Sequence, residues 1–188
     1  TKEMYSFEDR GGRSVTLRPE NTASVVRAYL EHKLYGDQQV HKIFYIGSMF
    51  RYDRPQAGRY REFHQFGVEV LGAVSPAADA EVIALAYDLF QSLGLKDLSL
   101  HINSIGDSIC RPVYRKKLIE FFEERKDHLC ADCRERLYKN PLRILDCKEE
   151  GCKTASEGAP EITDYLCETC NEKFEAVKQY LSALGIPY

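Results

Sequence analysis

The chain has 188 residues, 44% of them hydrophobic and 29% charged, with a formal net charge of −3. That length accommodates one domain plus a smaller one, and that composition excludes intrinsic disorder. The chain is no polycation, so nucleic-acid contact would need local basic patches, and no apolar run is long enough to span a bilayer.

In chain order, 4–9 and 14–18 alternate as two strands around a glycine-rich turn at Gly11 and Gly12. Pro19-Glu20-Asn21-Thr22 then opens a helix, with Asn21 or Thr22 as its cap and Ala23, Val26, Ala28, Leu30 and Leu34 as apolar positions. Glu20 and Thr22 serve two readings. They are an ordinary cap with a first-turn acid that suits the helix dipole, or a carboxylate and a hydroxyl placed to hold an ammonium group.

Two longer strands follow, 43–51 and 61–70, joined by a basic loop containing Pro55 and Gly58. Alternation puts Phe63, Gln65, Gly67 and Glu69 on one face of the second strand, with Met49, Gly47 and Tyr45 on the matching face of the first. His64, Phe66, Val68 and Val70 take the opposite face, which is expected to pack against helices. The first face carries a ring, an amide and a carboxylate, with a glycine in each strand, and reads as a floor for a small polar ligand. Arg51, Arg54, Arg59 and Arg61 are dense enough to bind phosphate, although surface arginines on a solvated hairpin fit the same pattern.

Ser75-Pro76 caps and starts a strong helix that Gly94 ends, with Val82, Leu85, Ala86, Leu89 and Leu93 as its core stripe. Residues 98–102 read as a short strand. The texture changes near Ser104, and from Asp107 the chain is helical, charged and cysteine-bearing. Leu118, Phe121 and Phe122 form a narrow apolar stripe, and a final helix runs from Asn171 to Leu184. A unit with so thin a core needs a staple.

The seven cysteines suit that need. Repeated C-x-x-C spacing, with no stretch that reads as a secretory signal, points to a reducing compartment and to metal rather than disulfides. Cys130/Cys133 and Cys167/Cys170 make two knuckles whose four thiolates suit structural zinc. The 33 residues between them also contain Cys147 and Cys152, either of which can replace a knuckle member. Cys110 reads as a buried, inert thiol.

Phe50-Arg51-Tyr52-Asp53, then Arg59 to Gln65, then Gly67-Val68-Glu69, resembles the second motif of class II aminoacyl-tRNA synthetases. The Arg54–Gln65 run resembles histidyl-tRNA synthetases in particular. Leu17 to Thr22 resembles that family's LRPEGT run, with Asn21 where glycine is usual. The resemblance extends through Asn140 to Asp146 and covers the whole chain, which reads as a fragment. It implies an α+β fold: part of a class II antiparallel sheet flanked by helices over 1–106, and a small, mainly helical insertion domain over 107–188.

The resemblance also implies a ligase that activates histidine with ATP and Mg2+, then transfers it from histidyl-adenylate to the 3′ end of histidine tRNA. In that family Arg51 matches the arginine that neutralises charge on the α-phosphate, a preorganised electrostatic role. Arg59 matches a contact to the outer phosphates and Phe63 the ring that stacks on adenine. Asp53 stands where glutamate often contacts the adenine amino group, one methylene shorter. Glu20 and Thr22 match contacts to the α-amino group of the amino acid, and Arg51, Gln65 and Glu69 complete the histidine pocket. A carboxylate there accepts a ring N–H of histidine and so contributes selectivity. The resemblance further implies a cytoplasmic homodimer with no membrane contact. The alternative is a non-catalytic paralogue, either a regulatory subunit of histidine biosynthesis or a tRNA-sensing module.

Overall fold

In the computed structural model, which describes residues 4–37, 39–54 and 56–188, four strands and seven helices alternate irregularly along the chain. This is the α+β class expected. Packing divides the chain into two units, Thr1–Val74 and Ser75–Tyr188. Among the described residues, no helix is long and apolar enough to cross a membrane. Pro55, which the sequence places in the basic loop, lies outside the described residues.

The first unit begins with a short antiparallel hairpin, β1 (Ser6–Glu8) and β2 (Ser14–Thr16). Asp9 closes its turn by accepting N–H bonds from Gly11 and Arg13 at 2.8 and 3.0 Å, while Gly12 adopts a φ of 74°. Arg13, through its backbone N–H and then its guanidinium, holds the Asp9 carboxyl below its ordinary range. Helix α1 (Thr22–Glu31) is not capped by Asn21 or Thr22 as expected. Glu20 does that work: its carboxylate accepts from the backbone N–H of Thr22 at 2.6 Å and of Ala23 at 3.1 Å.

The long strands β3 (His41–Phe50) and β4 (Glu62–Leu71) pair antiparallel from His41↔Leu71 to Phe50↔Glu62. On the face expected to pack against helices, this chain by itself leaves apolar side chains uncovered. Phe44, Ile46 and Phe66 are 74, 75 and 52% exposed. The covered face is the other one, where Met49 is fully buried. The reason is where the chain goes after β2. Arg18 and Pro19 are tied to the end of β3 by Phe50 N–H to Arg18 O and Arg51 Nε to Pro19 O, both at 2.9 Å, and Thr22 is tied to β4 through Glu69. The unit's cover is therefore spent on the polar floor.

The second unit opens with α2 (Pro76–Ser92), whose cap Ser75 accepts the Ala77 N–H at 3.3 Å. Beyond it, Gly94 takes the left-handed φ of 81° that ends the helix. The buried stripe differs from the expected one. Ala80, Ile83, Ala84 and Tyr87 pack with Val177, Leu181 and Ile186 around α7 (Glu168–Ala183), whereas Leu85 and Leu93 are exposed. A helix that is apolar on more than one face does not disclose which face finds a partner. Residues 98–102 form no strand. Leu100 and Ile102 lie instead against that same cluster, where among the described residues no strand offers a ladder.

Helix α3 (Cys110–Glu123) supplies Tyr114, Leu118 and Phe122 to a second cluster. Cys133 and Leu137 of α4 (Ala131–Lys139), Ile144 of α5 (Leu142–Leu145), and Cys152 and Ala155 of α6 (Glu150–Ser156) complete it, with Leu129 and Ile162. Two of these core positions are thiols, so this core is small and carries sulfur at its edge.

Candidate functional site

The register of the long hairpin sets the expected side chains on one face. Met49 faces Phe63, Gly47 faces Gln65, Tyr45 faces Gly67 and Ile43 faces Glu69. Both glycines are used for close approach. A Cβ at Gly67 would collide with the Tyr45 ring, and one at Gly47 would sit 3.0 Å from Arg18 Nη2. The two gaps in the floor are thus filled by the chain's own Tyr45 and Arg18. Strand alternation does not single out Arg18 for the floor, and the one sequence signal for it is the glycine at position 47.

Arg51 is half-buried at the strand end. Its Nε donates to Pro19 O at 2.9 Å, and its guanidinium carbon lies 5.1 Å from the centre of the Phe63 ring. One donor of five is spent on the backbone, and a cation–π contact fixes the plane. Arg61 stacks on Tyr52 at 4.6 Å and donates to Asp53 O at 3.2 Å, which shapes the root of the loop. Arg59 sits farther out, exposed, in a turn closed by its N–H to Gln56 O at 2.9 Å.

Glu69 accepts from Thr22 Oγ1 at 2.6 Å, so the strand-to-helix corner meets the floor. Gln65 Oε1 is buried and has no hydrogen-bond partner among the described residues. Buried acceptors are rarely left unpaired, so this orphan marks a position where an N–H donor would fit. Glu20, Thr22, Arg51, Phe63, Gln65 and Glu69 are therefore gathered on one side of the hairpin.

The cysteines assemble differently from the expected knuckle-to-knuckle set. Cys130 and Cys133 gather with Cys147 and Cys152, and Cys167 and Cys170 gather with Cys110 and Asp107, the ligand atoms of each group lying within 4.8 Å of one another. The two C-x-x-C pairs thus fall in separate groups, because each starts its own helix, α4 or α7. In the first group Cys130 Sγ and Cys147 Sγ are 4.0 Å apart. Burial pushes the Cys133 and Cys152 thiols up, and the backbone N–H of Glu149 draws Cys147 down. In the second, burial pushes Cys170 up to about 12. Backbone N–H groups of Asp107 and Cys167 lower Cys110, and those of Cys110 and Ile109 hold Asp107 well below the usual carboxylate range.

Comparison with known proteins bears on the hairpin. Residues 1–127 match the profile of the family described as Histidyl-tRNA synthetase. The whole chain is 63% identical to a histidine–tRNA ligase of Desulforudis audaxviator and 60% identical to one of Halothermothrix orenii, covering 44 and 45% of those proteins. It therefore spans under half the length of the curated relatives it matches. Among solved structures, apo histidyl-tRNA synthetase of S. aureus aligns with 98% of this chain at a TM-score of 0.76 and 48% identity, over 43% of its own length. An ATP phosphoribosyltransferase regulatory subunit/histidyl-tRNA synthetase from Bacillus halodurans aligns at a TM-score of 0.61 and 20% identity, a likeness of fold alone.

Proposed function

Given that the chain belongs to the histidyl-tRNA synthetase family, we propose that it works as part of a longer histidine–tRNA ligase, a cytoplasmic homodimer that takes histidine, ATP with Mg2+ and histidine tRNA. Residues 1–106 are its part of the catalytic domain and 107–188 its insertion domain. In the first step a histidine carboxylate oxygen attacks the α-phosphorus of ATP, and the bond to pyrophosphate breaks. In the second, a hydroxyl of the terminal adenosine of the tRNA attacks the histidyl carbonyl and AMP leaves.

This chain's residues divide that work. Arg51, already held by Pro19 O, offers its remaining donors to the α-phosphate and to the histidine carboxylate. Phe63 has Arg51 against its ring and takes the adenine by stacking. Asp53 at the loop root faces the adenine amino group, and Arg59 in the outer turn reaches the outer phosphates. Glu20, Thr22, Gln65 and Glu69 hold the amino acid. The observation that carries this reading is the orphaned Gln65 Oε1 on the same face of β4 as the Thr22–Glu69 pair: a buried acceptor and a carboxylate on one face suit a ligand that brings N–H donors.

We also place a structural zinc ion at Cys130, Cys133, Cys147 and Cys152. Sulfurs bound at about 2.3 Å around a tetrahedral centre stand about 3.8 Å apart. The 4.0 Å between Cys130 and Cys147 is already close to that spacing. Four thiolates leave no position for water, so the ion would stiffen the insertion and take no part in the reaction.

The test is histidine-dependent ATP–pyrophosphate exchange by the complete protein. Exchange that needs histidine and is not supported by other amino acids fits the ligase. Binding of histidinol without any exchange would assign the chain to the non-catalytic paralogues instead.

A further inference from the structure

The ligase reading and the four-thiol group leave one constellation unused: Asp107, Cys110, Cys167 and Cys170. It is built like the first. In each group a C-x-x-C forms one half, with its first cysteine at the cap of a helix (Cys130 for α4, Cys167 for α7) and its second one turn in. In each, the backbone N–H of that first cysteine donates to a sulfur of the facing half: Cys130 N–H to Cys152 Sγ at 3.2 Å, and Cys167 N–H to Cys110 Sγ at 3.0 Å. Such bonds favour thiolate over thiol. The facing half of the second group is Asp107-Ser108-Ile109-Cys110, which has the x-x spacing of a knuckle with aspartate in place of its first cysteine, where the facing half of the first group, Cys147 and Cys152, has four residues between.

Asp107 divides its two oxygens. Oδ1 caps α3 by accepting from the N–H of Ile109 at 2.8 Å and of Cys110 at 2.9 Å. Oδ2 faces the sulfurs, 3.8 Å from Cys167 Sγ. Gly106 permits this turn: its φ is 61°, and a Cβ there would sit 2.7 Å from the Cβ of Cys110. An oxygen at about 2.0 Å and a sulfur at about 2.3 Å from a tetrahedral zinc stand about 3.5 Å apart, so a small contraction completes the site.

We propose that Asp107, Cys110, Cys167 and Cys170 hold a second zinc-class ion, separate from the one at the four thiols and independent of the ligase reading. Binding releases the three thiol protons to solvent, and three thiolates with one carboxylate fill the tetrahedron. The ion clamps the start of α7 to the start of α3. Those helices carry different apolar clusters, Val177 and Leu181 on one and Tyr114, Leu118 and Phe122 on the other, so the clamp joins the two halves of the unit. Asp107 and Cys170 also line a groove of about 600 Å³, and only Cys110 of the second group is buried, against Cys133 and Cys152 of the first. A chelator therefore reaches the second ion first.

The experiment is metal analysis and alkylation mapping on the chain purified reduced and without chelator. The unmutated chain should hold about two equivalents of zinc, and Cys130→Ser/Cys133→Ser and Cys167→Ser/Cys170→Ser about one each. Asp107→Cys should keep the metal and strengthen the sulfur-to-metal charge-transfer band of the cobalt form. Cys167 and Cys170 should resist alkylation until a chelator is added and then react before Cys133 and Cys152. If either double variant fails to fold, the alkylation map of the unmutated chain decides. Cys167 and Cys170 that react freely beforehand, that are joined as a disulfide, or whose reactivity is unchanged by chelation overturn the proposal.

Discussion

Thr22 Oγ1 donates to Glu69 Oε1 at 2.6 Å, a bond between the first residue of α1 and the far end of the hairpin floor. The two residues are 47 positions apart, and their contact sets the corner that carries Glu20 against the strand that carries Gln65. It places hydroxyl, amide and carboxylates together without any of them belonging to one local motif.

In the complete ligase, Glu69→Gln should weaken histidine binding far more than ATP binding, because the carboxylate is assigned to the amino acid and not to the phosphates. A purely architectural Glu69 behaves otherwise. Weakening of its bond to Thr22, from a carboxylate to an amide acceptor, would then lower stability by up to about 1 kcal/mol and leave the histidine Kd unchanged. Titration of both ligands beside a melting curve separates the two.

The floor makes a packing prediction of its own. Gly67→Ala drives a methyl into the Tyr45 ring and should cost about 1–3 kcal/mol, the usual range for overpacking. In a Tyr45→Ala background the same substitution should cost much less. Equal costs in the two backgrounds, read from denaturant midpoints, would remove Tyr45 as the reason for the glycine.

These two positions mark how far the sequence could be read. Period-2 alternation alone puts Gln65, Gly67 and Glu69 on one face of β4 and Gly47 on the matching face of β3, while the pairing register is set by the fold. What covers that face was not legible. Arg18 and Tyr45 fill the glycine gaps, and Phe44 and Ile46 are left exposed, because cover is a tertiary matter and alternation is a local one. Helix α2 shows the same limit: with apolar residues on more than one face, its buried stripe is chosen by α7. The grouping of the cysteines was hidden for a related reason. Spacing identifies a knuckle but not the facing half, and Asp107 is no cysteine at all.

Chelation should melt the second unit. Because the thiolate site does not exist in the unfolded chain, zinc-binding free energy is folding free energy, on the order of 10 kcal/mol for structural sites. Helical circular dichroism of the chain should fall on adding a strong chelator, and should return with zinc but not with magnesium. Signal unchanged by the chelator, with all cysteines titrating as free thiols, would show a core that stands without metal.

Tyr114 gives an alkaline limit. It is buried in the α3 cluster, and burial first, then the charge of Glu161, raises its pKa above the ordinary value. The phenol ionises more readily in the unfolded chain, so its contribution is complete below the unfolded value of about 10 and is lost as pH rises through the folded one. Tyr114→Phe should flatten the alkaline fall in melting temperature, and an identical fall in the variant would assign it to other groups.

The proposed chemistry places Arg51 on the phosphorus that reacts. In the complete ligase, histidine-dependent ATP–pyrophosphate exchange should fall at least about a hundredfold in Arg51→Ala, the scale of one preorganised donor lost at a transition state. An exchange rate within a few-fold of the unmutated enzyme, in a variant that still folds, would contradict the assignment of this hairpin as the floor of the active site.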